Sequence, residues 1–105
     1  MTPGAQLQAA IELLSAIHAD TASPADRVGA AFFRARRYMG GADRRAVLDR
    51  TYAVLRRRAA LDWWIARVLP EGAQARADRL RVIAALVLIE GWSADRVAGS
   101  FDRGR

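Results

Sequence analysis

Cysteine does not occur in the 105 residues. That excludes a disulfide framework, a thiolate metal site and a cysteine nucleophile within this chain. Histidine appears once, at His18, so few donors remain for a transition metal and no metal site is expected. Lysine is missing as well: all seventeen basic side chains are arginine. No apolar run approaches the ~18 residues that a membrane-crossing helix needs. No basic segment followed by an apolar one marks a secretory leader at the N-terminus. A cytoplasmic protein without a membrane partner is therefore expected. Sustained polar–apolar alternation and Asn-Gly turns are both lacking, so strands are not signalled. No glycine-rich loop follows a strand, which removes the basis for a dinucleotide or P-loop site. No pair of carboxylates is placed for general acid–base work. These absences favour a binding module over an enzyme, with no catalytic and no cofactor-binding residue assigned in this chain.

Hydrophobic side chains make up 52% of the sequence, and a chain of this length buries about two-thirds of its unfolded surface, enough for one core. One domain over residues 1–105 is expected. The net charge is +6, and its placement matters more than its size. Residues 34–58 hold nine arginines and two aspartates, a local net of +7, while everything else carries −1. A positive balance confined to a quarter of the chain is the footprint of a surface that meets phosphates, although a plain solvated face has the same composition.

The stretch Asp43–Trp64, DRRAVLDRTYAVLRRRAALDWW, organises the reading. On a helix, Val47, Leu48, Thr51, Tyr52, Val54 and Leu55 form one apolar arc, while Arg45, Asp49 and Arg56 point the other way. Asp49 stands one turn from Arg45 and is expected to pair with it. Asp43 is placed to cap this helix. Arg44, near the apolar edge, is read as snorkelling or pairing with a buried carboxylate. Arg56, Arg57 and Arg58 close the helix where cations favour its C-terminal dipole.

The remaining segments are also helical. Thr2-Pro3 starts a first helix carrying Leu7, Ala10, Ile11, Leu14, Ile17 and His18 to about residue 20. Its polar side is nearly uncharged, hence either covered or simply alanine-rich. His18 reads as a core-edge histidine, because no acid or nucleophile is spaced to work with it. Ser23-Pro24, with Asp26 three residues on, starts a second helix with Val28, Phe32, Ala35 and Met39 inward, ended by Gly40-Gly41. Arg27, Arg34 and Arg37 share its outer face. Phe33 lies beside Arg36 and Arg37, either stacking on a base or packed under a neighbouring helix.

A fourth helix over about Ala60–Leu69 is expected to bury Leu61, Trp64, Ile65 and Val68 and to stop at Pro70, leaving Trp63 outward at a contact surface. Glu71–Gln74 reads as a turn. From Leu80 to Ile89 the sequence is apolar nearly all round, which assigns that helix to the middle of a bundle. Gly91 breaks it, and Ser93 caps a last helical turn with Val97 and Phe101. Asp62 and Glu90 are available to serve buried arginines. The chain stops at Arg105 without a closing helix pattern, so a fragment of a longer protein is expected. The fold class is all-α, a bundle of five helices plus a short C-terminal one.

The segment RARRYMGGADRRAVLDRTYAVLRRRAALDWWIARVLP, residues 34–70, resembles the N-terminal domain of the RsmB/NOP (Fmu/Sun) RNA cytosine-5 methyltransferases. That domain is similar to NusB, the helical antitermination factor that binds RNA. The resemblance is carried by Asp43-Arg44 opening a helix, by Val54-Leu55-Arg56, by Leu61-Asp62 starting the next helix, and by the later RLRVIAALVLIEGWSADRVAGSFDRGR. It covers about residues 8–105 and consists of packing and capping motifs. It implies a NusB-like helical bundle, with ribosomal RNA as partner. It also implies a separate C-terminal methyltransferase domain that holds S-adenosylmethionine and supplies the reactive cysteines. This chain would then be inactive alone. The arginine-rich N-terminal arm of NusB has no counterpart, since residues 1–20 contain no arginine.

On this reading Arg34, Arg36, Arg37, Arg45, Arg56, Arg57 and Arg58 contact RNA, mostly through phosphate. The alternative is an interdomain or protein-interaction scaffold in which Trp63, Val97 and Phe101 dock the catalytic domain and the arginines serve solubility. A third reading, DNA binding by two basic helices joined at Gly40-Gly41, ranks below both.

Overall fold

A computed structural model describes residues 1–68 and 77–103 of the chain, the last two as helix backbone. Six helices follow one another: α1 (Pro3–Ala19), α2 (Ala25–Arg34), α3 (Gly41–Arg56), α4 (Arg58–Val68), α5 (Ala77–Leu88) and α6 (Ala94–Arg103). No strand occurs among the described residues, and no described helix is long and apolar enough to cross a membrane. The all-helical expectation holds, and the last helix runs ten residues, longer than the single turn expected. The expected turn at Glu71–Gln74 and stop at Pro70 lie outside the described residues.

The bundle is built around α1. Thr2 Oγ1 accepts from the Ala5 amide at 3.0 Å, and Pro3 takes the first helical position with its fixed φ. Of seventeen residues in α1, only Glu12 and His18 can carry charge, so nearly the whole surface of the helix can be covered without stranding an ion. Leu7, Ile11 and Leu14 form one flank, packed with Val54, Leu61, Val82, Leu86, Trp92 and Val97. Ala9, Ala10 and Leu13 form the other, packed with Phe32, Phe33, Met39 and Val47. In consequence α1 touches α2, α3, α5 and α6. Each fully buried leucine contributes about 1.5–3 kcal/mol of transfer free energy.

This corrects the assignment of the centre to α5. That helix is apolar nearly all round beyond Arg81, yet it buries only Val82, Ala85 and Leu86; Val87, Leu88 and the following Ile89 are exposed. Alanines on α1 let neighbouring helices approach closely, whereas the bulky outer side chains of α5 have no helix over them among the described residues. The fourth helix departs similarly. It begins at Arg58 and buries Leu61 alone, while Trp64 is 48% and Val68 72% exposed.

Helix boundaries show where local signals were outvoted. Ser23 does not cap α2; the N-cap position is Pro24, which makes no side-chain cap bond, and its carbonyl accepts from the Arg27 and Val28 amides. The helix stops at Arg34, short of Gly40-Gly41, leaving Ala35 exposed. The turn that follows closes through Arg36 N to Phe33 O and Met39 N to Arg36 O and is pinned by buried Met39. Gly40 is the N-cap of α3, with an ordinary φ of −76°. Asp43 lies inside the first turn of α3 instead of capping it, and accepts from Gln6 Nε2 at 2.8 Å, tying α3 to α1. Gly91 does end α5, at φ +74°, with the Trp92 amide returning to Leu86 O at 2.9 Å, a turn that favours glycine. Ser93 Oγ caps α6 through the Arg96 amide at 3.1 Å.

Two substitutions test which helix is central. Leu14→Ala on α1 should cost about 2–5 kcal/mol in urea unfolding, whereas Leu88→Gln on α5 should change stability by less than about 0.5 kcal/mol. The reverse ordering would put α5 back at the centre.

Candidate nucleic-acid interface

The arginines separate into three groups by what they touch. Three are held by carboxylates in close geometry. Arg50 donates to Glu90 through Nε at 3.0 Å and Nη2 at 3.2 Å. Arg81 holds Asp62 at 2.7 and 3.2 Å and Asp78 at 2.8 Å. Asp62 and Glu90 thus serve partly buried arginines, as the sequence implied. Arg36 approaches Glu12 at 3.5 Å, donates to the Phe32 carbonyl at 3.2 Å and covers the Phe32 ring at 3.5 Å. It fastens the turn after α2 to α1, so unlike Arg34, Arg37, Arg45, Arg56 and Arg57, also expected to contact RNA, it is already engaged within the fold.

A second group stacks on aromatics: Arg96 over Trp92 at 3.7 Å, Arg67 over Trp63 at 3.4 Å and Arg79 over Phe101 at 4.4 Å. Arg44 donates to the Met39 carbonyl at 3.0 Å, tying the start of α3 to the preceding turn; it snorkels and pairs with no carboxylate among the described residues.

The third group is exposed. Arg34, Arg37, Arg45, Arg56 and Arg57 have no carboxylate within 4.0 Å among the described residues. Arg58 belongs near them: it is half exposed and 3.8 Å from Asp62, which Arg81 already holds, so this pair is loose. Arg45 and Arg56 lie eleven residues apart on α3, about 20° apart around the axis and about 16 Å along it. Asp49 and Tyr52 fall on the same outward ridge. Asp49 forms no ion pair with Arg45, contrary to expectation, and both stay in water, where holding two side chains together gains little. Tyr52, assigned to the apolar arc, joins neither core cluster. These five arginines gather at the two ends of α3, with Arg34, Arg37 and Arg45 about its start and Arg56 and Arg57 at its close; Arg27, on α2, is exposed as well.

The aromatic and apolar site candidates are redistributed. Phe33 is 6% exposed and packs edge-on against Phe32, ring centroids 5.3 Å apart, so it has no face for a base. Val97 is 8% exposed and Phe101 packs against the same cluster. Val97 is thus taken up by the core and Phe101 is partly buried at its edge beneath Arg79, because α6 folds back onto α1. Trp63 stays 49% exposed. Between α3 and α5 runs a groove of about 270 Å³, lined by Ala46, Ala53, Val82, Ala85 and Ile89, with the Arg50–Glu90 pair also in its wall.

Sequence reasoning missed one cluster. Asp78, at the start of α5, accepts from Ser15 Oγ at 2.9 Å and lies 2.8 Å from His18 Nδ1. Arg81 closes the group and reaches across to Asp62 on α4. The acid that His18 lacked nearby comes from sixty residues along the chain. The available signal was Asp78 and Arg81 at i, i+3, the polar corner of an otherwise apolar helix. Among the described residues the other ring nitrogen, Nε2, is buried without a partner, and the group forms a polar pin joining α1, α4 and α5. Burial alone would raise the Asp78 carboxyl, but hydrogen bonds from Ser15 and Arg81 and the neighbouring His18 outweigh it and hold the group below its ordinary value. The hydrogen bonds that Arg81 donates to Asp62 raise its guanidinium further.

Comparison with protein-family models, with curated proteins and with solved structures gave no match to this chain.

The pin makes a pH-dependent contribution of definite sign. With its folded value depressed, Asp78 stabilises the fold above the unfolded carboxylate value of about 3.9, and that stabilisation is lost as pH falls through the folded value. Asp78→Asn should lower neutral-pH stability by about 1–3 kcal/mol and flatten the acid limb of a stability–pH curve. An acid limb of unchanged steepness would show that another carboxylate carries it.

Proposed function

We propose that this chain is an RNA-binding module that acts through phosphate contacts. The supporting observation is the set of exposed arginines at the two ends of α3, none held by a carboxylate among the described residues. Carboxylates and aromatic rings that occupy other guanidinium groups leave these out, and their planar forks suit bidentate phosphate contacts. Together with the resemblance carried by residues 34–70, this favours ribosomal RNA as the ligand. The chain would be the front domain of a cytosine-5 methyltransferase, NusB-like in fold. S-adenosylmethionine and the methyl-transfer chemistry would belong to a catalytic domain elsewhere in the parent protein. Arg34, Arg37, Arg45, Arg56 and Arg57 carry the binding, with Arg58 at the margin.

A second reading, a scaffold that docks another domain without touching RNA, is favoured by a different observation: the exposed Val87, Leu88 and Ile89 at the end of α5, the last of which lines the α3–α5 groove.

Binding of ribosomal RNA fragments at several salt concentrations separates the two. Five phosphate contacts should weaken binding a few hundredfold between about 50 and 200 mM salt. Arg37→Glu with Arg56→Glu should flatten the log–log slope by about 1.4–1.8 units. If the double variant binds like the parent, while Leu88→Asp releases a docked catalytic domain, the scaffold reading replaces this one.

A further inference from the structure

Trp63 and Trp64 on α4 are left over from both the core and the arginine ridge. Neither enters a core cluster, and about half of each side chain is accessible, 49% and 48%. The rings meet edge to face, centroids 5.3 Å apart and planes at 82°, so each keeps a face that the other does not cover, and one face of Trp63 lies under Arg67. Arg67 lies 3.4 Å over the Trp63 ring and donates to the Trp63 carbonyl at 3.2 Å. That tether leaves the indole less freedom to lose on binding.

The surroundings indicate what such a pair receives. The exposed neighbours along α4 are Arg58, Ala59, Ala60, Ala66, Arg67 and Val68; the alanines are too small to shield an indole, and Val68 is the one larger apolar side chain among them. Arg56, Arg57 and Arg58 precede the pair, and Arg57 stands six residues before Trp63, about 9 Å along the axis. The one carboxylate of α4, Asp62, is held by Arg81. Two accessible indoles therefore sit in a cationic setting with no free acid on their own helix.

We propose that Trp63 and Trp64 are a stacking platform for unpaired nucleobases of an RNA strand whose backbone is held by Arg56 and Arg57. The proposal rests on the RNA-binding reading and adds a selectivity to it. Every base offers a π-face, so stacking on tryptophan is tolerant of sequence, but the faces are available only where bases are not already stacked in a duplex. The phosphate contacts of the arginines do not make that distinction. The platform therefore selects single-stranded segments, loops and ends.

The test compares an oligouridylate of about twelve nucleotides with a duplex RNA of equal phosphate number. Trp63→Ala should weaken the single strand about 5- to 100-fold and the duplex less than about twofold, with Trp63→Phe keeping most of the single-strand affinity. The oligouridylate should also quench tryptophan emission in the unaltered protein and lose that effect in the Trp63→Ala, Trp64→Ala variant. Circular dichroism identifies any variant that fails to fold, and Trp63→Phe then decides. Equal losses on both RNAs overturn the platform. So does unchanged single-strand affinity in Trp63→Ala while Arg56→Glu weakens both RNAs; the arginine reading then stands without it. Loss of association with a protein domain in Trp63→Ala, with RNA affinity intact, assigns the pair to a protein contact. If neither RNA binds the unaltered protein, the RNA-binding reading itself falls.

Discussion

A helix with almost no charge has to be covered, and the architecture follows from covering α1. Its two apolar flanks, Leu7–Ile11–Leu14 and Ala9–Ala10–Leu13, recruit separate sets of side chains. One set comes from α2 and α3, the other from α3, α4, α5, α6 and the turn before α6. Because α3 supplies Val47 to one cluster and Val54 to the other, its buried face is committed along most of its length. Its opposite face is left to water, and that face carries Arg45 and Arg56. The burial of α1 thus decides indirectly where the guanidinium groups stand.

Seventeen arginines and eleven carboxylates cannot all be matched. The protein commits its closest pairs to helix junctions: Arg81 with Asp62 and Asp78 where α1, α4 and α5 meet, and Arg50 with Glu90 where α3 meets the end of α5. Other guanidinium groups lie over Phe32, Trp92, Trp63 and Phe101, where a ring quadrupole offsets some of the lost hydration. Arg34, Arg37, Arg45, Arg56 and Arg57, at the ends of α3, have neither kind of partner among the described residues. Their mutual repulsion is modest in water, and a bound polyanion would relieve it.

The proposed RNA contacts and the proposed base platform divide the work between charge and shape. Arginines at the α3–α4 corner attract any phosphate chain, whereas an indole half in water distinguishes a base whose face is open. Placing both beside one helix junction lets a single strand engage them together without passing around the molecule. The apolar end of α5 lies on a different helix, so a second domain docked there would not in itself occupy the tryptophans.

Much was legible from residue order alone, wherever the determining contacts are local. Helical periodicity, the Thr2-Pro3 start, the Gly91 stop, the Ser93 cap and the charge gathered in residues 34–58 all depend on neighbours within about one helical turn, and a sequence displays those neighbours directly. Contacts across helices decided the rest. Which helix is central, whether Trp64 and Val68 are covered, whether Phe33, Val97 and Phe101 are free, and that Asp78 reaches His18 all depend on which surfaces meet after folding. An apolar residue on a helix states that burial would be favourable, but only the packed arrangement supplies the partner. In this chain α1 had partners on both flanks, while the outer sides of α4 and α5 had none among the described residues.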